Sequence, residues 1–343
     1  MKILFLSHTF SPNIGGIESV SEMLADAFHE AGHEIHLLTR TKNSQSIYKV
    51  FNYIVIREPT FSILIKEILW CDVIFENNPS LRMSWPNLLL NKPIVTALHT
   101  WIGQPGAVRS HLSKLKLKLV NRSTNLIACS EAIRLNTILR AVVVTNPYDN
   151  VKFDINHGVV RTQNFIFLGR LVSDKGVKIA VEAFKIFSDK VKDRTIKFTI
   201  VGDGPEKPFL QKLVSECGLQ NDVIFRGSLR GEELSKCLNE HQFLIVPSLW
   251  QEPFGIVALE AMACGCIPIV SEVGGLPEAV GNAGLTFKRA DVTGLANVML
   301  YAYDNADVIK QLQSKAKTHL DNHLIDIVAE RYLSVINNAI KKN

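Results

Sequence analysis

The sequence predicts an α/β protein built as two doubly wound parallel sheets. Three observations carry this prediction. A strand–glycine turn–helix–strand unit opens the chain, short β runs alternate with helical segments throughout, and a polar connection divides the alternation into two series. With 343 residues, 47% of them hydrophobic, the chain has length and apolar material for two cores.

Residues 2–7 read as the first strand. Gly15-Gly16 then interrupts the chain, and over residues 17–29 Val20, Met23, Leu24 and Phe28 fall on one helical face. Gly32 ends that helix, and 34–39 is the next strand. Further β runs follow at 53–56, 71–75, 93–97 and 125–129. The second series starts after the polar stretch 146–161. It comprises a strand at 165–170, a helix at 177–191, a strand at 197–201, a helix at 209–217, and strands at 223–225, 243–247 and 267–270. Residues 326–342 read as one amphipathic helix whose closing Lys341-Lys342 suits a helix C-terminus. These elements set an N-terminal domain over 1–155, a C-terminal domain over 156–325, and a last helix over 326–343 expected to pack back on the first domain.

Composition excludes several classes. No apolar run is long and charge-free enough to span a bilayer; residues 61–69 are broken by Lys66 and Glu67. The N-terminus has a short apolar segment with no small-residue cleavage site after it, so it reads as a buried strand of a cytosolic protein rather than a signal peptide. The six cysteines, at 71, 129, 217, 237, 264 and 266, form no C-x-x-C and read as reduced core residues. Net charge is +5, and residues 101–150 concentrate it: Arg109, Lys114, Lys116, Lys118, Arg122, Arg134 and Arg140 stand against Glu131 and Asp149.

The most informative motif is Glu252-Pro-Phe-Gly-Ile-Val-Ala-Leu-Glu260. Here an acid precedes a Pro-Phe-Gly turn, and an apolar helical run carries a second acid. A helix start offers free N–H groups to oxyanions, and Glu252 can accept from sugar hydroxyls beside it. If the whole interval is helical, Glu260 lies roughly 12 Å further along, a span suited to a sugar at one end and a ribose at the other. Gly169-Arg170 closes a strand and Lys175-Gly176 precedes a helix, a cation pair that suits a diphosphate; solvated surface is the ordinary alternative. Gly202-Asp-Gly204-Pro is a tight turn and not the dinucleotide fingerprint, which needs a third glycine and a downstream acid. Gly15-Gly16 fails the same test but permits close backbone approach to a phosphate or acceptor, the alternative being a turn and nothing more. His99, at a strand C-terminus facing a cleft between the sheets, could hydrogen-bond a sugar hydroxyl, although an isolated histidine is usually structural.

Taken in order, Gly15-Gly16-Ile-Glu, Thr96-Ala-Leu-His99, Gly169-Arg…Lys175-Gly176, Val201-Gly-Asp-Gly-Pro205 and the two-glutamate segment resemble the retaining glycosyltransferase family 4, across nearly the whole chain. The resemblance implies the GT-B fold, two Rossmann-like domains facing a central cleft. It also implies transfer of a hexose-type sugar from a nucleotide donor, UDP-linked, to a glycan, lipid-linked or small-molecule acceptor. Arg170 and Lys175 would bind the donor diphosphate, and Glu252 the sugar hydroxyls. Phe254, Gly255 and Ile256 would offer backbone N–H groups, with Val257 alongside and Glu260 on the ribose. Gly16, with Gly15, would approach the diphosphate, Gly202 and Gly204 would line the donor, His99 would touch the sugar, and Arg226 would contact the base through its backbone. The implied enzyme needs no metal or cofactor, and there is no D-x-D run to hold one. Asn146-Pro-Tyr-Asp departs from the Asn-Gly-Val-Asp often seen in the family.

Residues 108–122 place Val108, Leu112, Leu115 and Leu119 on one helical side, with Lys114, Lys116 and Lys118 around the rest, although alternation over 114–119 also permits a strand. One reading is an interfacial helix drawn to anionic lipid at the inner face of the cell membrane. The other is a solvated basic face over a core stripe. No nucleic-acid partner is indicated. The rival activities are a GT-B sugar-nucleotide epimerase, a phosphorylase, which would normally need a much longer chain, and a non-catalytic nucleotide-sugar or polysaccharide-binding protein.

Overall fold

The computed structural model describes residues 1–342 apart from 14, 43–48, 104, 106, 107, 109, 139 and 192–194. The chain forms two compact units, Met1–Pro147 with His323–Asn343, and Tyr148–Asn322. Their divisions fall at 147/148 and 322/323, where the sequence placed 155 and 325.

The first unit holds β1 (Lys2–Ser7), β2 (Glu34–Thr39), β3 (Ile54–Arg57), β4 (Val73–Asn77), β5 (Ile94–Leu98), β6 (Asn125–Ala128) and β7 (Val142–Val143). They form one sheet in the order β3-β2-β1-β4-β5-β6-β7, with every pairing parallel. A parallel sheet covered on both faces needs near-continuous apolar strands, and Ile3 to Leu6 of β1 are fully buried. One face packs Leu4, Leu6, Leu38 and Ile74 against Leu64 and Ile68 of the helix Phe61–Trp70. On the helix Gly16–Glu30, Phe28 stands edge-on to Phe75 of β4 at 5.7 Å.

The last helix, Ile325–Lys341, belongs to this first unit. It packs on the Gly16–Glu30 helix and on β4, β5 and β6. Its Tyr332 is fully buried and meets Phe75 edge-on at 5.8 Å. Asn125 Nδ2 donates to the Val335 carbonyl at 2.9 Å. Where the chain returns, His323 Nδ1 donates to the Asn146 carbonyl, also at 2.9 Å.

The second unit holds β8 (Thr162–Leu168), β9 (Phe198–Val201), β10 (Val223–Gly227), β11 (His241–Val246), β12 (Ile267–Ser271) and β13 (Leu285–Phe287). The order is β10-β9-β8-β11-β12-β13, again all parallel. Its core is aromatic: Phe165 stacks on Phe243 at 4.9 Å and meets Phe187 edge-on at 4.9 Å, under the helices Val177–Val191 and Val292–Asp304. In both sheets the order reverses beside the first strand, between β1 and β4 and between β8 and β11. Loops leave such a switch point in opposite directions and open a crevice at the strand C-termini.

Two expectations are corrected. The helix after Glu252 runs over Ile256–Ala263, so the interval from Glu252 to Glu260 is helical only in its second half and the simple helical spacing does not apply. Residues 108–122 contain a helix, His111–Val120, and not a strand, but its apolar stripe is not a core face: Val108, Leu112 and Leu115 are 96%, 79% and 54% exposed. Arg109 lies outside the described residues. None of the six cysteines is in a disulfide, and all but Cys217 are buried. Among the described residues no helix is long and apolar enough to cross a membrane.

Candidate active site

At the switch point of the second sheet, the loops after β8 and β11 meet. Lys175, from the first loop, and Glu252, from the second, form an ion pair at 2.6 Å, with side chains 23% and 13% exposed. Ser248 Oγ donates to the same carboxylate oxygen, Oε1, at 2.7 Å. Ser271 Oγ in turn donates to the Ser248 carbonyl at 2.8 Å, tying this loop to β12. Ser248 has no spacing signature and escapes sequence reasoning. Arg170 is exposed just past β8, and among the described residues no acid pairs with it.

Backbone packing fixes this meeting of loops. Gly176 has φ +68°, and a Cβ there would lie 2.0 Å from the Pro247 carbonyl oxygen, so the residue after Lys175 rests on the residue before Ser248. Gly274, at φ +54°, rests in the same way on the backbone of Glu252, and Gly275 N–H donates to the Glu252 carbonyl at 2.8 Å. Gly202 and Gly204 press on the carbonyls of Gly169 and Leu171, where a Cβ would stand at 1.8 and 2.4 Å. Their lack of a side chain is thus accounted for by the chain's approach to itself, which holds the Gly169-Arg170 turn. Gly255, at φ +125°, precedes the helix Ile256–Ala263. Phe254 behind it is buried, and Ile256 and Val257 are half-buried in the first turn, where N–H groups lack intrahelical partners.

Arg226 is the extra residue of a β-bulge in β10, between Phe225 and Gly227, so its backbone is outside the regular ladder. Its side chain turns away to a cavity of about 520 Å³ on a sheet face, shared with Lys197, Thr199, Cys237 and His241. Cys237, Glu240 and His241 form the metal-ligand-type cluster found among the described residues, with ligand atoms within 4.8 Å of one another. Both ring nitrogens of His241 are already hydrogen-bonded, Nδ1 to the Cys237 carbonyl at 2.6 Å and Nε2 to Thr199 Oγ1 at 2.7 Å.

In the first unit, the strand C-termini present a buried polar group. His99, 5% exposed, follows β5, and its Nε2 lies 2.7 Å from Oδ1 of Asn77 at the end of β4. Burial pushes the imidazole down to about 4, partly opposed by the Asn146 side chain. His99 is therefore neutral at physiological pH. Gly15 caps the helix Gly16–Glu30 with extended backbone and no side-chain hydrogen bond. The three atoms nearest to a Cβ at Gly15 all belong to the flexible Glu18 carboxylate, the first at 2.4 Å.

Against known proteins, residues 153–319 match the family described as Glycosyl transferases group 1 and residues 14–145 match Glycosyltransferase Family 4. The chain belongs to glycosyltransferase family 4. The glycosyltransferase is 27% identical over 330 residues to an uncharacterized glycosyltransferase of Methanocaldococcus jannaschii, covering 82% of this chain and 83% of that one. It is 24% identical over 349 residues, with 90% of each chain covered, to N-acetyl-alpha-D-glucosaminyl L-malate synthase of Bacillus anthracis. Among solved structures, Anabaena HepE in complex with UDP superposes with a TM-score of 0.81 at 19% identity, covering 98% of this chain and all of the other. That likeness establishes a GT-B fold.

Glu260 of the glycosyltransferase lies within the helix Ile256–Ala263, near Asp149, which itself pairs with Lys152. Burial first, then Asp149, hold its carboxyl up to about 7, with Lys152 acting the other way. The folded state thus binds the Glu260 proton more tightly than the unfolded chain, whose value is 4.5. The resulting stability is full below pH 4.5 and is lost as pH rises through about 7. Glu260→Gln is expected to flatten the fall in denaturant midpoint between those limits. An unchanged slope would show that Glu260 titrates normally.

Proposed function

We propose that this enzyme moves a hexose-type sugar from a nucleoside-diphosphate donor, UDP-linked, to a hydroxyl of a glycan, lipid-linked or small-molecule acceptor, with retention of configuration. The observation that carries the reading is the Lys175–Glu252–Ser248 group at the switch point, beside a helix start. Both bonds to Glu252 fall on Oε1, which leaves Oε2 for donor-sugar hydroxyls. An arriving diphosphate competes with Glu252 for the Lys175 ammonium. Lys175, Arg170 and the N–H groups of Ile256 and Val257 then meet the negative charge that grows on the leaving diphosphate, the electrostatic contribution that lowers the barrier. Glu260 receives the ribose, and the bulge at Arg226 offers its backbone to the base. The reading assigns same-face attack, with the leaving phosphate taking the acceptor proton. It invokes no metal and no cofactor. HepE, solved with UDP-glucose as well as with UDP, supports the UDP choice by analogy.

Thermal unfolding with UDP-, GDP- and ADP-sugars tests the donor. A ligand at a hundred times its Kd stabilises by about 2.7 kcal/mol, and a UDP-sugar is expected to give the largest rise. No rise with any of them overturns the reading. Turnover of donor without an acceptor would point instead to an epimerase, and inversion at the anomeric carbon would refute retention.

We also propose that the enzyme works at the inner face of the cell membrane, through the helix His111–Val120. Its exposed Leu112 and Leu115 lie among Lys114, Lys116 and Lys118. Burial, then Arg82, Arg40 and Lys116, hold the His8 imidazole below its usual range. Apolar side chains among cations match an anionic lipid surface. The enzyme is expected to sediment with vesicles containing anionic lipid and not with neutral ones, and Leu112→Ser with Leu115→Ser to remain in the supernatant. Equal sedimentation of wild type and variant would refute this site.

A further inference from the structure

The buried polar side chains at the C-terminal end of the first sheet form one continuous chain of hydrogen bonds, and the protons available along it fix how Asn77 is turned. His99 Nε2 lies 2.7 Å from Asn77 Oδ1, and Asn77 Nδ2 lies 2.7 Å from Ser21 Oγ. Ser21 Oγ lies 2.7 Å from Ser7 Oγ, and Ser7 Oγ lies 2.7 Å from the Thr9 carbonyl oxygen. Ser7, Ser21 and Asn77 are fully buried and His99 nearly so. At such separations each contact needs one proton between the two atoms.

The bookkeeping starts from the backbone. A carbonyl only accepts, so Ser7 gives its hydroxyl proton to Thr9. Ser7 must then accept from Ser21. Ser21 Oγ also lies 2.8 Å from the Ile17 carbonyl and donates to it, so the Ser21 proton is shared between Ser7 and Ile17 and in neither case points to Asn77. With its proton so directed, Ser21 must accept from Asn77. The amide nitrogen of Asn77 therefore faces Ser21 and its oxygen faces His99, which settles the orientation of an amide whose two ends have the same shape. Only a protonated Nε2 can complete the chain.

We infer that Asn77 is a positioning residue that holds His99 in the Nε2-protonated tautomer, and that Ser21 and Ser7 keep the Asn77 amide facing the correct way. Nδ1, a buried atom on a ring that also has the Asn146 side chain beside it, then carries the lone pair, so His99 serves there as an acceptor and not as a proton donor. The neighbouring Asn78, at φ +77°, takes the Thr100 hydroxyl proton on Oδ1 at 3.2 Å and faces the His99 backbone N–H at 3.4 Å. Side chain and backbone of His99 are thus held by adjacent asparagines. That the tautomer matters for transfer rests on the proposed glycosyl-transfer function and on the donor-sugar contact that the family resemblance implies for His99; the tautomer itself does not.

The test is a long-range 1H–15N correlation spectrum of the full chain labelled with 15N-histidine. His99 is picked out among the ten histidines by its loss in His99→Gln. Nε2 is expected to resonate as the protonated nitrogen and Nδ1 as the bare one. Ser21→Ala releases the amide and should introduce the second tautomer. Asn77→Asp, accepting from Nε2–H with a full charge, should draw the ring towards double protonation near neutral pH and lower kcat by about tenfold with KM little changed. A protonated Nδ1 in the wild type overturns the inference, and so do wild-type spectra in both variants. The expected spectra with undiminished transfer by Asn77→Asp would uphold the tautomer and sink its role in transfer. If no sugar donor binds at all, the spectra still decide the tautomer, and the glycosyl-transfer reading fails separately.

Discussion

Glu252→Ala should lower kcat/KM by about a hundredfold or more, equivalent to about 2.7 kcal/mol of transition-state stabilisation, while the protein stays folded. The carboxylate does two jobs: it offers Oε2 to the donor sugar, and through Oε1 it holds Lys175 and Ser248. Its removal leaves a largely buried ammonium without its acid and a buried hydroxyl without its acceptor. Partial exposure of the Lys175 side chain, at 23%, admits water to the vacated space. The structural cost should accordingly stay near 1–3 kcal/mol, well short of a domain's usual stability. Glu252→Gln keeps an acceptor for Ser248 and should fall between alanine and wild type. Steady-state kinetics beside a melting curve separate the two effects. Undiminished transfer by the alanine variant would remove Glu252 from the reaction.

Gly176→Ala should be among the most damaging single-methyl additions. Two penalties coincide: a side chain at φ +68°, and a Cβ that would lie 2.0 Å from the Pro247 carbonyl oxygen. Backbone cannot swing aside as a side-chain tip can, so the cost should be about 3 kcal/mol or more. For a unit of this size that corresponds to a fall in Tm of about 6–12 °C. Gly218→Ala provides the control: φ is nearly the same, +69°, yet a Cβ there meets nothing within 4 Å. It should lose only the conformational part, about 1 kcal/mol. Since Gly176 sets how Lys175 reaches Glu252, its alanine variant should also lose transfer when assayed below its melting temperature. Equal melting temperatures for the two variants would show that the loop gives way.

Much of this architecture was legible in the sequence because the sheets are buried on both faces. Strands such as Lys2–Ser7 and Ile267–Ser271 carry near-continuous apolar runs, and Val177–Val191 shows a clean helical face. The strand Val142–Val143 is too short to show a period. Leu285–Phe287 is hardly longer. The stripe of Leu112 and Leu115 announces an amphipathic helix, yet periodicity cannot say whether an apolar face packs inward or meets solvent. At the site, Lys175 and Glu252 were legible because each lies in a compact motif, Gly169-Arg…Lys175-Gly176 and the two-glutamate segment, beside a helix start. Ser248, Asn77 and Ser21 were missed because small polar residues occur everywhere, and only coordinates show which are buried and linked. Gly202 and Gly204 were noticed as glycines, but the reason for them, contact with the backbone of 169–171, lies in tertiary packing.

The helix Ile325–Lys341 completes a unit whose other residues end at Pro147. On the ribosome this imposes an order of events. The first half of the chain emerges with Phe75 and its neighbours still lacking Tyr332, and must wait while the whole second unit is made. Tyr148–Asn322, contiguous in sequence, can close as soon as its own residues are out. The part synthesised first is thus the last to mature, and for that interval part of its sheet face stays uncovered.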